Sequence, residues 1–273
     1  MIPQDFITEW RAHAPWTQDV QVEQDLVISR ALIEIYRVPE LAETLSFRGG
    51  TALYKLHLRP PARYSEDIDL VQVRPEPIGP TLDRLKAVLD PWLGVPRRDQ
   101  KEGRVNLVCR MQAEGPSSLP MRLKVEINTR EHFSAVGHIL TTFVVDGRWF
   151  TGQADILTFP LDELLATKLR ALYQRKKGRD LFDLWHALGS GHVDPARVVT
   201  IFGQYMDREG HSVSRAEFEE NLVAKENDPI FRADIQPLLA PRMTWDFDAA
   251  LMAVRTRLVE MMPGAPWKGR ASR

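Results

Sequence analysis

Arg48–Val71, RGGTALYKLHLRPPARYSEDIDLV, sets the question for the whole chain. A glycine pair is followed by an apolar, basic run, a double proline, and then two aspartates separated by one isoleucine. The spacing predicts a helix opening at the glycines and stopped by Pro60-Pro61, since proline cannot continue a helix. DIDLVQV (67–73) alternates as a strand, so Asp67 and Asp69 share one face while Ile68 and Leu70 face a core. Side chains at i and i+2 lie roughly 7 Å apart. Two carboxylates at that distance repel each other unless a positive charge sits between them. The plain alternative is a pair of exposed strand-end acids. The functional reading is a seat for a hard divalent cation, which oxygen ligands suit.

Outward from this stretch, the apolar spacing of 23–37 predicts a helix. TLSFRGG reads as a short strand and turn, and residues 81–93 as a helix. RVNLVCRMQAE, MRLKVEINT and HILTTFVVD read as three strands. In RLKVEIN, Leu123, Val125 and Ile127 alternate with Lys124, Glu126 and Asn128, so Glu126 lies on a polar face. If its strand neighbours DIDLV, Glu126 adds a third acid to the cluster; otherwise it makes a surface salt bridge with Lys124 or Arg122. Three acids on adjacent strands could hold two Mg²⁺ ions about 4 Å apart. Gly49-Gly50 permits close backbone approach, and a helix N-terminus attracts phosphate. Arg48, Gly49, Gly50, Thr51 and Ser65 are therefore the candidate nucleotide contacts at this end, with Ser65 expected on the same strand face as Asp67.

After Pro160 the pattern turns helical, over 161–176, 180–188, 195–206, 215–225 and 246–261. The expected organisation is α/β (α+β): a mixed-sheet domain over 1–158, a helical domain over 159–263, and a flexible tail over 264–273. In LDELLATKLRALYQR, Lys168 falls in the stripe of Leu161, Leu164, Leu165 and Leu172. It either snorkels to water or reaches a nucleotide phosphate from a helix packed over the site. Asp180 and Asp183 follow on one helix flank. Asp183 could orient Lys168, contact the nucleotide or act as a base; Asp180 could contact the nucleotide or simply favour the helix dipole.

The 273-residue chain has 44% hydrophobic and 27% charged residues and a net charge of −1, an ordinary globular composition. Its one cysteine, Cys109, excludes a disulfide framework and a cysteine-based zinc site. The N-terminal residues do not resemble a signal peptide, and no apolar run is long enough to span a membrane. A cytoplasmic protein with no membrane partner is expected.

Taken together, EQDLVISRALIEI, FRGGTALYKLHLRPPARYSEDIDLV, LKVEIN and ELLATKLRALYQRKKGRDLFDLW resemble the AbiEii/MenT-like nucleotidyltransferase toxins, a branch of the DNA polymerase β-like superfamily. The resemblance spans residues 23–185. It implies a polymerase β-like core with a mixed sheet and a helical C-terminal domain that completes the active site. It also implies Gly49 and Gly50 at the triphosphate, Asp67 and Asp69 as catalytic metal ligands, Glu126 as a third ligand, and Lys168 and Asp183 as catalytic groups. Two Mg²⁺ (or Mn²⁺) ions would serve an NTP substrate, often a pyrimidine nucleotide, whose NMP is added to the 3′ end of tRNA, stopping translation. An antitoxin encoded nearby, a role in growth control or phage defence, and no DNA partner follow from the same resemblance. Arg170, Arg175, Lys176, Lys177 and Arg179 would contact RNA phosphates, as would Arg59, Arg63, Arg97, Arg98, Lys101 and Arg104. The rival readings are a nucleotidyltransferase acting on a small molecule or a protein hydroxyl, and a non-catalytic nucleotide-binding module.

Overall fold

A computed structural model describes residues 2–113 and 119–269. The chain divides into two compact units. One runs to Phe159 and takes in Ala240–Arg242; the other runs from Pro160 to Leu239 and resumes at Met243.

The first unit begins with α1 (Gln4–Trp10), α2 (Asp19–Tyr36) and α3 (Pro39–Thr44). Strand β1 (Leu45–Arg48) leads directly into α4 (Gly49–Ala52), which continues as a π turn over Leu53–His57. Then come β2 (Asp67–Gln72), α5 (Gly79–Leu93), β3 (Arg97–Lys101), β4 (Arg104–Gln112), β5 (Pro120–Asn128), β6 (Ile139–Asp146) and β7 (Thr151–Thr158). They form one seven-stranded sheet in the order β3-β4-β5-β2-β1-β7-β6. It is mixed: β2 pairs parallel with β5 and β1 parallel with β7, while the other ladders are antiparallel.

Alternation explains which face is covered. Ile68, Leu123, Val125 and Ile127 are fully buried and Leu70 nearly so, whereas Asp67, Asp69, Lys124 and Glu126 are only partly buried. Helix α2 packs across the sheet against β5, β6 and β7, and nearly every residue of its central turns is buried. Cys109 is buried in β4, and burial pushes its thiol up to about 11, so it is an inert packing group.

Two strands escape the sequence reading. β3 (RRDQK) is exposed throughout and joins the sheet only through its backbone ladder to β4. β7 (TGQADILT) pairs antiparallel with β6. Ser65 precedes β2 rather than lying on it, because the strand begins at Asp67.

The second unit consists of α6 (Leu161–Gln174), α7 (Gly178–Gly189), α8 (Pro195–Arg208), α9 (Arg215–Glu226), α10 (Pro229–Ala233) and α11 (Phe247–Arg257). Side-chain caps fix several starts: Asp194 for α8, Asp228 for α10, Asp246 for α11, and a Ser214–Glu217 capping box for α9. Helix α6 packs against α7 and α8, and α7 against α11. Phe182, Trp185, Trp245 and Phe247 form a chain of edge-on and tilted aromatic contacts. Of the expected tail, residues 270–273 lie outside the described residues, and the Trp267 amide donates to Glu219 at 2.7 Å.

Gly178 opens α7 where a Cβ would overlap the backbone carbonyl oxygen of Phe231. A backbone oxygen cannot swing aside as a side chain can. Gly178→Ala is expected to destabilise the second unit by about 1–3 kcal/mol, the usual penalty of overpacking. Chemical denaturation followed through Trp185 and Trp245 fluorescence checks this; an unchanged transition would contradict the packing described.

Candidate active site

Register brings the acids together. β2 and β5 run parallel, with Asp69 opposite Glu126 and Asp67 opposite Lys124. β1 lies on the other side of β2 and sets Arg48 opposite Asp69. Three carboxylates thus share one rim of the sheet, and Lys124 supplies the positive charge that their repulsion demands. Its ammonium lies 2.8 Å from Asp67 Oδ2 and 3.4 Å from Glu126 Oε2. Arg104 approaches the other oxygen of Glu126 at 3.8 Å. The salt-bridge alternative for Glu126 is therefore present in the structure, within the cluster rather than instead of it.

The charges are not balanced at Asp69. Burial raises its pKa, the charges of Asp67 and Glu126 raise it further, and Arg48 and Lys124 offset only part. Burial works against the Lys124 ammonium, but its bond to Asp67 and the surrounding acids outweigh this and hold its pKa above the ordinary lysine value. A cluster of hard oxygen donors with surplus negative charge fits a divalent cation in donor chemistry. Its side chains are not yet arranged as a ligand set: among the described residues no three His, Cys, Asp or Glu side chains are grouped to hold a metal ion. Glu126 is drawn toward Lys124 and Arg104.

The glycine pair proves to be shaped by these side chains. Gly49 has φ +84°, in the left-handed region, and a Cβ there would overlap Asp69 Oδ2. A Cβ on Gly50 would overlap the Arg63 guanidinium and crowd Ser65 Oγ. Thr51, 2% exposed, donates to the Asp67 carbonyl at 2.5 Å and pairs with the Ser65 hydroxyl at 2.9 Å, so its hydroxyl ties the helix start to the strand start. Arg48 binds Glu131 at 2.6 Å. Arg63 is 2% exposed and donates to the Tyr64 carbonyl, an internal position that removes it from the expected surface phosphate contacts.

The second unit holds its own charged cluster. Lys168 does not snorkel; it is 8% exposed and lies 2.8 Å from Asp183 Oδ2 and 3.3 Å from Asp180 Oδ1, both acids being fully buried. Arg175 forks onto both oxygens of Asp180 at 2.7 and 2.9 Å. Burial alone would raise the Asp180 pKa, but Lys168 and Arg175 outweigh it and hold it below the usual carboxylate range. Burial likewise lowers the pKa of His186, with the charge of Asp183 opposing. Arg170 departs from the RNA-contact expectation: it is 8% exposed, 2.9 Å from Glu209, and stacked over Tyr205 at 4.9 Å. Lys176, Lys177 and Arg179 remain on the surface, each near one acid, at 3.4 Å from Asp228, 3.7 Å from Asp234 and 3.5 Å from Asp234.

The sequence offered Lys124 only as a partner of Glu126; its contact with Asp67 went unread, as did the buried Lys55–Asp25 pair at 2.6 Å. The available signal for the second was an aspartate inside the apolar run of α2.

The profile described as "Nucleotidyl transferase AbiEii toxin, Type IV TA system" matches residues 30–253. The structure is similar to MenT4, a nucleotidyltransferase toxin of Mycobacterium tuberculosis H37Rv, with TM-score 0.69 and 18% identity over 96% of this chain and 90% of that one. It is also similar to an H. pylori protein assigned as a nucleotidyltransferase, with TM-score 0.51 and 16% identity over 89% of this chain and 95% of that one. At these identities the likeness shows a shared fold. No curated protein sequence matches.

Two outcomes test the geometry. Gly49→Ala adds about 1–2 kcal/mol of left-handed backbone strain and displaces the Asp69 carboxylate. Both a lower denaturation midpoint and loss of activity are expected; wild-type behaviour in both would contradict the close approach. Asp180, with its depressed pKa, contributes stability that is present above its unfolded pKa and lost as pH falls through the folded one. In pH-dependent denaturation, Asp180→Asn should flatten the part of the stability curve below the usual carboxylate range. A curve parallel to wild type there would refute it.

Proposed function

The chain belongs to the AbiEii family of nucleotidyltransferase toxins, and from that premise we propose that it transfers a nucleoside monophosphate from an NTP to the 3′ acceptor end of tRNA. The observation that carries the chemistry is the rim of Asp67, Asp69 and Glu126, aligned by the parallel pairing of β2 and β5 beside the start of α4. A pyrimidine nucleotide is the expected donor, by family resemblance. The family belongs to a type IV toxin–antitoxin system, which implies an antitoxin partner. Among the described residues no helix is long and apolar enough to cross a membrane.

Asp67 and Asp69 would hold the divalent cations, Mg²⁺ or Mn²⁺, with Glu126 turning in from Lys124 to join them. When bound, such ions lower the pKa of an attacking hydroxyl and neutralise charge on the leaving pyrophosphate. The chain's own part is positioning. Helix α4 has no acid in its first turn and no side-chain cap on its amides, which leaves its start suited to phosphate oxygens. Gly49 keeps that start against Asp69, and Thr51 locks it to the beginning of β2. The RNA 3′-hydroxyl then attacks the α-phosphorus, pyrophosphate leaves, and the hydroxyl proton passes to an ionised carboxylate of the cluster. Lys168 and Asp183, by resemblance, are catalytic groups of the same reaction. Lys176, Lys177 and Arg179 are the surface cations proposed for RNA phosphates.

Purified protein incubated with bulk tRNA, Mg²⁺ or Mn²⁺ and each labelled NTP should label tRNA at its 3′ end. Asp67→Ala and Asp69→Ala should each reduce this by about 10²–10³-fold, the scale seen when a preorganised electrostatic group is removed. Absence of labelled RNA with all four nucleotides would overturn the tRNA reading. Growth inhibition that survives both substitutions would show that transfer is not the toxic act.

A further inference from the structure

The first unit contains a cavity of about 390 Å³ that none of Asp67, Asp69, Lys124 or Glu126 lines. It opens beside the rim, shares Thr51 and Ser65 with the candidate nucleotide contacts, and is walled by the α1–α2 junction, the π turn, the loop that follows it and β6. Its walls combine two features that seldom occur together. Trp10, Trp16, Tyr54 and Phe143 line it with aromatic side chains, with Arg63 over the Tyr54 ring and Arg59 over Phe143, and Lys55, Arg59 and Arg63 bring three cations against one acid, Asp25.

These groups are held in place. Asp25, 5% exposed, accepts from Trp10 Nε1 at 2.9 Å and from Lys55 Nζ at 2.6 Å, and Lys55 also reaches Ser29 Oγ at 2.8 Å. Arg59 is anchored to the Lys55 carbonyl at 2.7 Å and lies 5.4 Å from the centre of the Phe143 ring. Trp16 is the exception. It is 3% exposed, and its indole N–H has no hydrogen-bond partner among the described residues. A buried donor without an acceptor costs about 1–3 kcal/mol, and the side chain that carries it lines the cavity. Burial also lowers the Lys55 pKa despite Asp25, with the neighbouring Arg59 charge lowering it further.

We propose that this cavity is a nucleotide-binding site separate from the carboxylate rim, taking one 5′-nucleoside monophosphate unit with its base among the aromatic walls and its phosphate at Lys55 and Arg59. The volume lies within the range of small-molecule pockets. Stacking on aromatic rings beside a cation is the general way in which a single nucleotide is held. The unit is either a free nucleotide or the terminal residue of an RNA strand. The site does not depend on transfer activity, so its test and the failure of the tRNA reading are distinguishable.

The test is calorimetric titration of the full chain with AMP, GMP, CMP and UMP in EDTA, using wild type, Trp16→Phe, Arg59→Gln and Asp69→Asn. At least one monophosphate should bind saturably to wild type, and binding should persist in Asp69→Asn. Trp16→Phe keeps the ring but loses the donor and should weaken binding about tenfold, as expected for one hydrogen bond to a charged acceptor. Arg59→Gln, at an exposed position, should weaken binding of the monophosphate but not of the parent nucleoside, and it serves if Trp16→Phe melts early. Competition by a short RNA with a free 3′ end assigns the source: displacement at lower concentration than the monophosphate identifies an RNA terminus, and the reverse order a free nucleotide. The proposal falls if none of the four monophosphates binds in EDTA, if Asp69→Asn abolishes binding, or if both Trp16→Phe and Arg59→Gln bind as wild type does.

Discussion

Three carboxylates cannot share the rim of a sheet unless positive charge is placed among them, and most of the first unit's local geometry answers that constraint. The parallel register of β2 and β5 sets Asp69 beside Glu126 and makes Lys124 the neighbour of Asp67. The same alternation that buries Ile68 and Val125 forces the acids outward together. A slip by one residue would invert both faces at once, so the core that stabilises the sheet also aligns the cluster. Lys124 then does locally what a bound cation would do, and Arg104 and Arg48 extend the compensation to Glu126 and Asp69.

The second unit solves a similar problem by a different route. The buried Lys168 and the exposed Arg175 converge on the buried acids Asp180 and Asp183 in one network. Such networks add little net stability, because desolvation offsets much of the attraction, but removing one partner leaves an unpaired buried charge. The arrangement therefore fixes the mutual placement of α6 and α7. It also explains why a lysine stands in a leucine stripe: the helical period placed Lys168 inward, and the acids of α7 hold it there.

What the sequence revealed and what it hid divide along physical lines. The strands β2, β4 and β5 and the helices of the second unit bury one face, and burial leaves a period that can be read. β3 buries nothing, so RRDQK carries no period and is held only by backbone hydrogen bonds to β4. The identity of the acids was legible, because a carboxylate on a polar strand face is a local fact. Their convergence was not, because it depends on which strands pair. Arg170 shows the limit for basic runs: the stretch reads as uniformly cationic, yet Glu209 and Tyr205, more than thirty residues downstream, draw this one side chain inward. The aromatic cavity escaped for the same reason, since Trp10, Trp16, Lys55 and Phe143 are scattered over four elements or junctions.

The position of Lys124 has a consequence for how the rim can work. Asp67 Oδ2 is engaged by an ammonium at 2.8 Å, and Glu126 Oε2 faces the same nitrogen at 3.4 Å. Neither oxygen can serve Lys124 and a divalent cation at full strength together, because both claim the same lone pairs and repel each other. On the proposed metal-dependent reading the Lys124 side chain would have to yield, and its long flexible stem allows that at little backbone cost. Asp69 is different. It is walled by Gly49, has no direct ion pair of its own among the described contacts at the rim, and carries the raised pKa. On the same reading its surplus charge would favour exchanging a monovalent ammonium for a cation of higher charge, and the left-handed glycine beside it holds that carboxylate in place.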